Sequence, residues 1–155
     1  MNSKEYRKIL FIMIVIGILT IPVLYMLSDS REQAVKEVEN EFNEHLFKDA
    51  KRLKEIKKEP SFHGDGEAAI LLSVSDDDIS NIEEELAEYE VSKDSEEYEH
   101  INSAIKMIRD RGFETEIENQ DKIYFKETTE YKFSNFIGLI IDKENKKTLF
   151  VKYDS

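Results

Sequence analysis

The chain has 155 residues, 34 acidic against 22 basic, a formal net charge of -12 and no cysteine. That length holds one domain rather than two. The lack of Cys excludes disulfides, thiolate metal sites, a thiol nucleophile and an acylated-cysteine anchor, and the acid excess argues against nucleic acid, whose binders supply Lys and Arg to displace phosphate counterions.

In chain order, the first feature is an uncharged run of nineteen residues from Ile9 to Leu27, in which Thr20 and Tyr25 alone carry polar side-chain atoms. As a helix it spans about 28 Å, enough for the hydrocarbon core of a bilayer. Lys4, Arg7 and Lys8 precede it, and Asp29, Arg31 and Glu32 follow. The basic flank 1–8 therefore stays cytoplasmic, 9–27 is a transmembrane signal anchor in contact with lipid, and the rest lies outside the cell. The alternative is a signal peptide cut near Ser30, giving a secreted product; nineteen apolar residues exceed the usual signal core.

From Arg31 to Lys58 the apolar positions Val35, Val38, Phe42, Leu46, Ala50, Leu53 and Ile56 recur every three to four residues among dense charge. The spacing predicts one amphipathic helix, a stalk over 28–60 ended by Pro60. The segment 61–155 is then an extracytoplasmic α+β domain.

The turn Phe62, His63, Gly64, Asp65, Gly66 comes next. His63 and Asp65, two apart and flanked by glycine, are the candidate catalytic pair, an acid and base or two ligands of a metal-assisted hydrolase. A third metal ligand is not visible, since His45 and His100 stand alone in helical patterns. The competing reading is a tight turn in which glycine supplies positive φ.

A strand is predicted at about 68–75. Asp76, Asp77 and Asp78 ahead of Ile79, Ile82, Leu86 and Tyr89 mark a helix start, where carboxylates meet free amides and the positive dipole end. A further helix is predicted over about 95–111, closed by Gly112. In the last third, 113–118 and 122–126 alternate in a way that predicts a hairpin pairing Glu118 with Lys122, Ile117 with Ile123 and Glu114 with Lys126. A second hairpin joins about 135–142, apolar on both faces and so a central strand, with 148–153 through Lys143 to Lys147. The predicted fold is α+β: a transmembrane helix, a stalk helix and a mainly antiparallel sheet of about five strands with helices on one face.

The motif at 62–66, the segment Ser134 to Asp142 and the segment Thr148 to Asp154 together resemble a family of small membrane-anchored or secreted proteins of Gram-positive bacteria. The resemblance covers roughly residues 60–155 and departs from the family in lacking Trp. It implies extracytoplasmic placement and carries no activity.

The charge is local. Residues 61–100 hold 14 acids and 1 base, whereas 31–60 hold 8 of each and 101–155 hold 10 of each. Asp76, Asp77, Asp78, Glu83 and Glu84 are the candidate binding residues of an acidic surface, for a cationic envelope protein or for Ca²⁺, a hard cation that takes clustered carboxylates. No EF-hand spacing, P-loop or nucleophile elbow is present. The reading is a single-pass membrane protein whose external domain binds a partner, with a hydrolase or an accessory subunit of a membrane complex as alternatives.

Overall fold

The computed structural model describes residues 33–58, 66–129 and 134–154. The order is a helix α1 over 33–42, strands β1 (Lys51–Lys58) and β2 (Glu67–Ser73), helices α2 (Asp76–Glu85) and α3 (Glu96–Asp110), and strands β3 (Lys122–Glu127), β4 (Asn135–Asp142) and β5 (Lys147–Asp154). The strands form one antiparallel sheet in the order β1-β2-β5-β4-β3. Residues 34–155 make up one compact unit. Among the described residues no helix is long and apolar enough to cross a membrane; the segment 9–27 lies outside them.

The α+β class, five strands and antiparallel pairing agree with the sequence. The placement of helices on one face does not. Alternate residues of a strand point to opposite faces, and here both faces are apolar. Ile70, Leu72, Tyr124, Ile137, Leu139, Ile141 and Phe150 pack with Ala34, Val38 and Phe42 of α1 and Ile79 and Ile82 of α2. Ala69, Leu71, Ile123, Phe125, Ile140, Leu149 and Val151 pack with Ile101, Ala104, Ile105 and Ile108 of α3. Three interior strands that are hydrophobic on both sides require cover on both sides, so the helices divide between them.

The predicted stalk helix is corrected as well. It ends after Phe42, because Asn43 turns to φ 61°, the Asn43 amide donates to the Asn40 carbonyl (3.2 Å) and the Glu44 amide to the Glu39 carbonyl (3.1 Å). This is the pattern of a Schellman stop with Asn at the left-handed position. Lys126 adds a cation there, donating to the carbonyls of Glu41 (3.0 Å) and Phe42 (3.1 Å). Lys51–Lys58 is edge strand β1, whose register shifts between Arg52 and Lys54. The shift inserts Leu53 as an extra residue, so Leu53 and Ile56 keep a three-residue spacing that imitates a helix. Ile56 packs on the α3 face, while Leu53 is 47% exposed.

The second hairpin, β4 with β5, forms as predicted, from Asn135 opposite Asp154 to Asp142 opposite Lys147; β4 is interior but next to the edge strand β3, and β5 is the central strand. The first predicted hairpin does not form. Residues 113–121 are irregular, and β3 pairs with β4, Ile123 opposite Ile140. Glu116 sits at φ 48°, outside the strand region. Its alternation is real, with Phe113 and Thr115 buried, but the amides of Glu118 and Asn119 bond to the Asp142 carboxylate rather than to a strand. The supposed cross-strand partners go elsewhere: Glu114 pairs with Lys54, Lys122 with Glu90.

Gly138 on β4 sets how closely α3 approaches. A β-carbon there would lie 2.9 Å from Ile101 Cγ1, and Ile101 is fully buried.

Candidate functional site

His63 and Asp65 lie outside the described residues. The segment 59–65 that contains them connects β1 to β2, two strands paired from Lys51 with Ser73 to Lys58 with Glu67. Gly66, next in the chain, exchanges backbone hydrogen bonds with Asp154 (3.1 and 2.8 Å).

The five acids proposed for the binding surface do not behave alike. Asp78 is 1% exposed and is not on the surface. Its carboxylate accepts from the amides of Lys48 (2.6 Å), Asp49 (3.3 Å) and Ser75 (2.9 Å), while the Ser75 hydroxyl accepts from the Asp78 amide (3.1 Å). Ser75 and Asp78 thus form a capping box at the start of α2, and the spare acceptor capacity of Asp78 ties down the loop after α1. Asn81 completes the tie by donating to the carbonyls of His45 (2.8 Å) and Leu46 (3.2 Å). Burial by itself pushes the Asp78 carboxyl up, but the amides of Lys48, Ser75 and Asp49 and the Ser75 hydroxyl outweigh it and hold the group below its ordinary value.

Asp76 pairs with Lys146 (2.6 Å) and Glu83 with Lys143 (2.6 Å). Asp77 and Glu84 are exposed and make no ion pair among the described residues. No group of three or more His, Asp and Glu among the described residues is placed to hold a metal ion.

A second buried carboxylate is Asp142, at the end of β4 and 0% exposed. It accepts from the amides of Glu118 (2.9 Å), Asn119 (3.0 Å) and Asn145 (3.0 Å) and from the Asn145 side chain (2.9 Å). Those donors overcome the opposing effect of burial and bring its pKa to about 2. Glu116, held by Lys54 and Lys147, is likewise lowered to about 2. These groups fix irregular chain; they are structural acids.

The acidic stretch does not form one face. α2 covers one side of the sheet and α3 the other, and the chain between them passes the outer edge of β3. There Glu90 makes a single antiparallel bridge to Tyr124, and the Val91 amide donates to the Ile123 carbonyl (2.9 Å). Beside this bridge a cleft of about 560 Å³ is lined by Glu88, Tyr89, Val91 and Glu97 together with Phe125, Lys126 and Glu127. Sequence reasoning missed this site, because its two walls come from distant segments and only the pairing of β3 brings them together. A smaller cleft of about 360 Å³ lies between Ile56 and Ile108, beside the ion pair of Glu67 with Arg111.

Comparison with protein families, with curated proteins and with solved structures finds no match to this chain.

Proposed function

We propose that the chain is a single-pass membrane protein, anchored through 9–27, whose external α+β domain is a binding module of the cell envelope. The observation that carries the reading is how the charge is used. Most bases on the described surface are committed to neighbouring acids, as in Lys57 with Glu37 and Glu55, Lys147 with Glu116 and Lys152 with Glu41. Asp77, Glu84, Glu85, Asp94 and Glu99 are exposed without an ion pair among the described residues. Unneutralised carboxylates on an otherwise balanced surface favour a cationic partner and repel anionic ones.

Protease added to intact cells tests the placement. The reading expects loss of the domain with the anchor spared, and full protection would reverse the orientation. Chemical crosslinking in the same cells tests the binding. A discrete crosslinked product is expected, and its absence at every crosslinker length would remove the binding role.

A further inference from the structure

We propose that the outer edge of β1 pairs with the same edge of a second copy of this chain, antiparallel about a two-fold axis at Ile56, joining the two sheets into one. The register of the sheet shows which main-chain groups are free to do so. Gly66 and Asp154 exchange two hydrogen bonds (3.1 and 2.8 Å), so by alternation Ala68, Ile70 and Leu72 turn their main-chain groups to β5, while Glu67, Ala69, Leu71 and Ser73 turn theirs to β1. Those four face Lys58, Ile56, Lys54 and Lys51, which leaves Glu55 and Lys57 pointing outward. The N–H and C=O groups of Glu55 and Lys57 meet no hydrogen-bond partner among the described residues, and β1 ends the sheet. An exposed row of this kind is a template for another strand.

Charge selects the register and the occupant. The irregularity at Leu53 interrupts the edge, which confines regular pairing to Lys54–Lys58. Within that stretch outward residues must face outward residues, so Glu55 meets Glu55, Lys57 meets Lys57, or each meets the other. The first two registers set like charges opposite one another, which is destabilising. The last sets Glu55 opposite Lys57 on both sides of the axis, with two hydrogen bonds exchanged in each pair, and puts Ile56 opposite Ile56 between them. Ile56 packs on the α3 face and borders the cleft beside Ile108, so the paired isoleucines extend apolar surface already present at this edge. Lys54 falls opposite Lys58 of the second copy, and Glu114 and Glu116, both paired with Lys54, offset that like charge.

An acidic strand from another protein would match Lys57 but set a carboxylate against Glu55, whereas β1 complements both. The two-fold axis is perpendicular to the sheet, so α1 lies on the same face in both copies, as two chains anchored in one bilayer require; that point alone rests on the membrane reading.

The test is disulfide trapping of the full-length chain in the cells that express it. The chain has no cysteine, so each introduced cysteine is its only thiol. Ile56 and its counterpart form a non-hydrogen-bonded pair with Cα atoms about 4.5 Å apart, within the reach of a disulfide. Glu55 and its own counterpart, or Lys57 and its own, are out of register and about 9 Å apart, too far for one. Under mild oxidation Ile56→Cys is expected to give a dimer on non-reducing gels, in at least about fivefold higher yield than Glu55→Cys or Lys57→Cys. Adding Glu55→Lys to Ile56→Cys sets Lys opposite Lys57 and should cut that yield by about fivefold. Glu144→Lys, the same charge change at the exposed β4-β5 turn, should leave it within about twofold. No dimer at any position, equal yields at all of them, a maximum with Glu55→Cys or Lys57→Cys, equal effects of Glu55→Lys and Glu144→Lys, or a product with a different protein in place of the dimer would each overturn the proposal. None of these residues belongs to the unpaired carboxylates assigned to an envelope partner, so failure of the dimer leaves the binding module standing, and failure of the binding module leaves the dimer.

Discussion

Asp142 makes a sharp prediction, because its carboxylate is where an irregular segment, an interior strand and a turn are joined. In Asp142→Asn the shape is nearly unchanged, but one acceptor oxygen becomes a donor NH₂ facing N–H groups. Four donors meet this side chain in the native protein. A hydrogen bond to a charged group is worth about 1.5–3 kcal/mol, and a buried donor left unpaired costs about 1–3 kcal/mol. With one oxygen retained and the turn at 143–146 open to water, the net loss comes to about 2–3 kcal/mol.

The pH dependence gives a second reading of the same contact. The folded pKa of Asp142 is lowered to about 2 from an ordinary 3.8. A depressed carboxyl contributes stability that is fully present above its unfolded pKa and lost as pH falls through the folded one. Discounted for solvent at the adjacent turn, that contribution is about 1–2 kcal/mol. Urea unfolding of wild type and variant, measured from neutral pH down through this window, should show a gap that narrows by about that amount. A gap near zero at neutral pH, or one that stays constant to pH 2, would refute the role assigned to Asp142.

Three further substitutions follow from the packing. Gly138→Ala places a methyl against the buried Ile101 and should cost about 1–3 kcal/mol in thermal or urea unfolding, part of it recovered by Ile101→Val in the same chain. Asn43→Val forces a β-branched residue into φ 61° and should lower stability by about 1–2 kcal/mol, whereas Asn43→Gly should be nearly neutral. The Tyr124 hydroxyl is fully buried with no hydrogen-bond partner among the described residues, and burial, then Glu83 and Glu90, push its pKa up; Tyr124→Phe should therefore leave stability unchanged or raise it by about 1 kcal/mol, as read from the melting temperature.

The β4-β5 hairpin, α2 and α3 were legible in the sequence because each carries its own local signal. Phe136 to Ile141 is apolar on both faces, Ser75 to Asp78 begins a helix, and Gly112 takes φ 87° just past the end of α3. The errors fall where a side chain overrules periodicity. Leu46 and Ala50 continue the helical spacing of Val38 and Phe42 although Asn43 has ended the helix, and both still reach the same core. Phe113 and Thr115 alternate like a strand because they too are buried, yet a carboxylate at Asp142 supplies the partner for their segment. Among the candidate site residues, the acidic excess of 61–100 was visible from composition alone. The interior role of Asp78 was not, because the amides it binds belong to Lys48 and Asp49 and arrive through tertiary packing. The β3 groove was hidden for the same reason: nothing local to Glu88 or Glu127 says that they share a cleft.

The claim that the domain binds an envelope partner through its unpaired carboxylates is tested most directly by crosslinking in intact cells, comparing wild type with a chain in which Asp77, Glu84, Glu85, Asp94 and Glu99 are changed to their amides. The account predicts a discrete partner product in wild type that is lost in the variant while the amount of folded protein is unchanged. The same product at the same yield in both would contradict it.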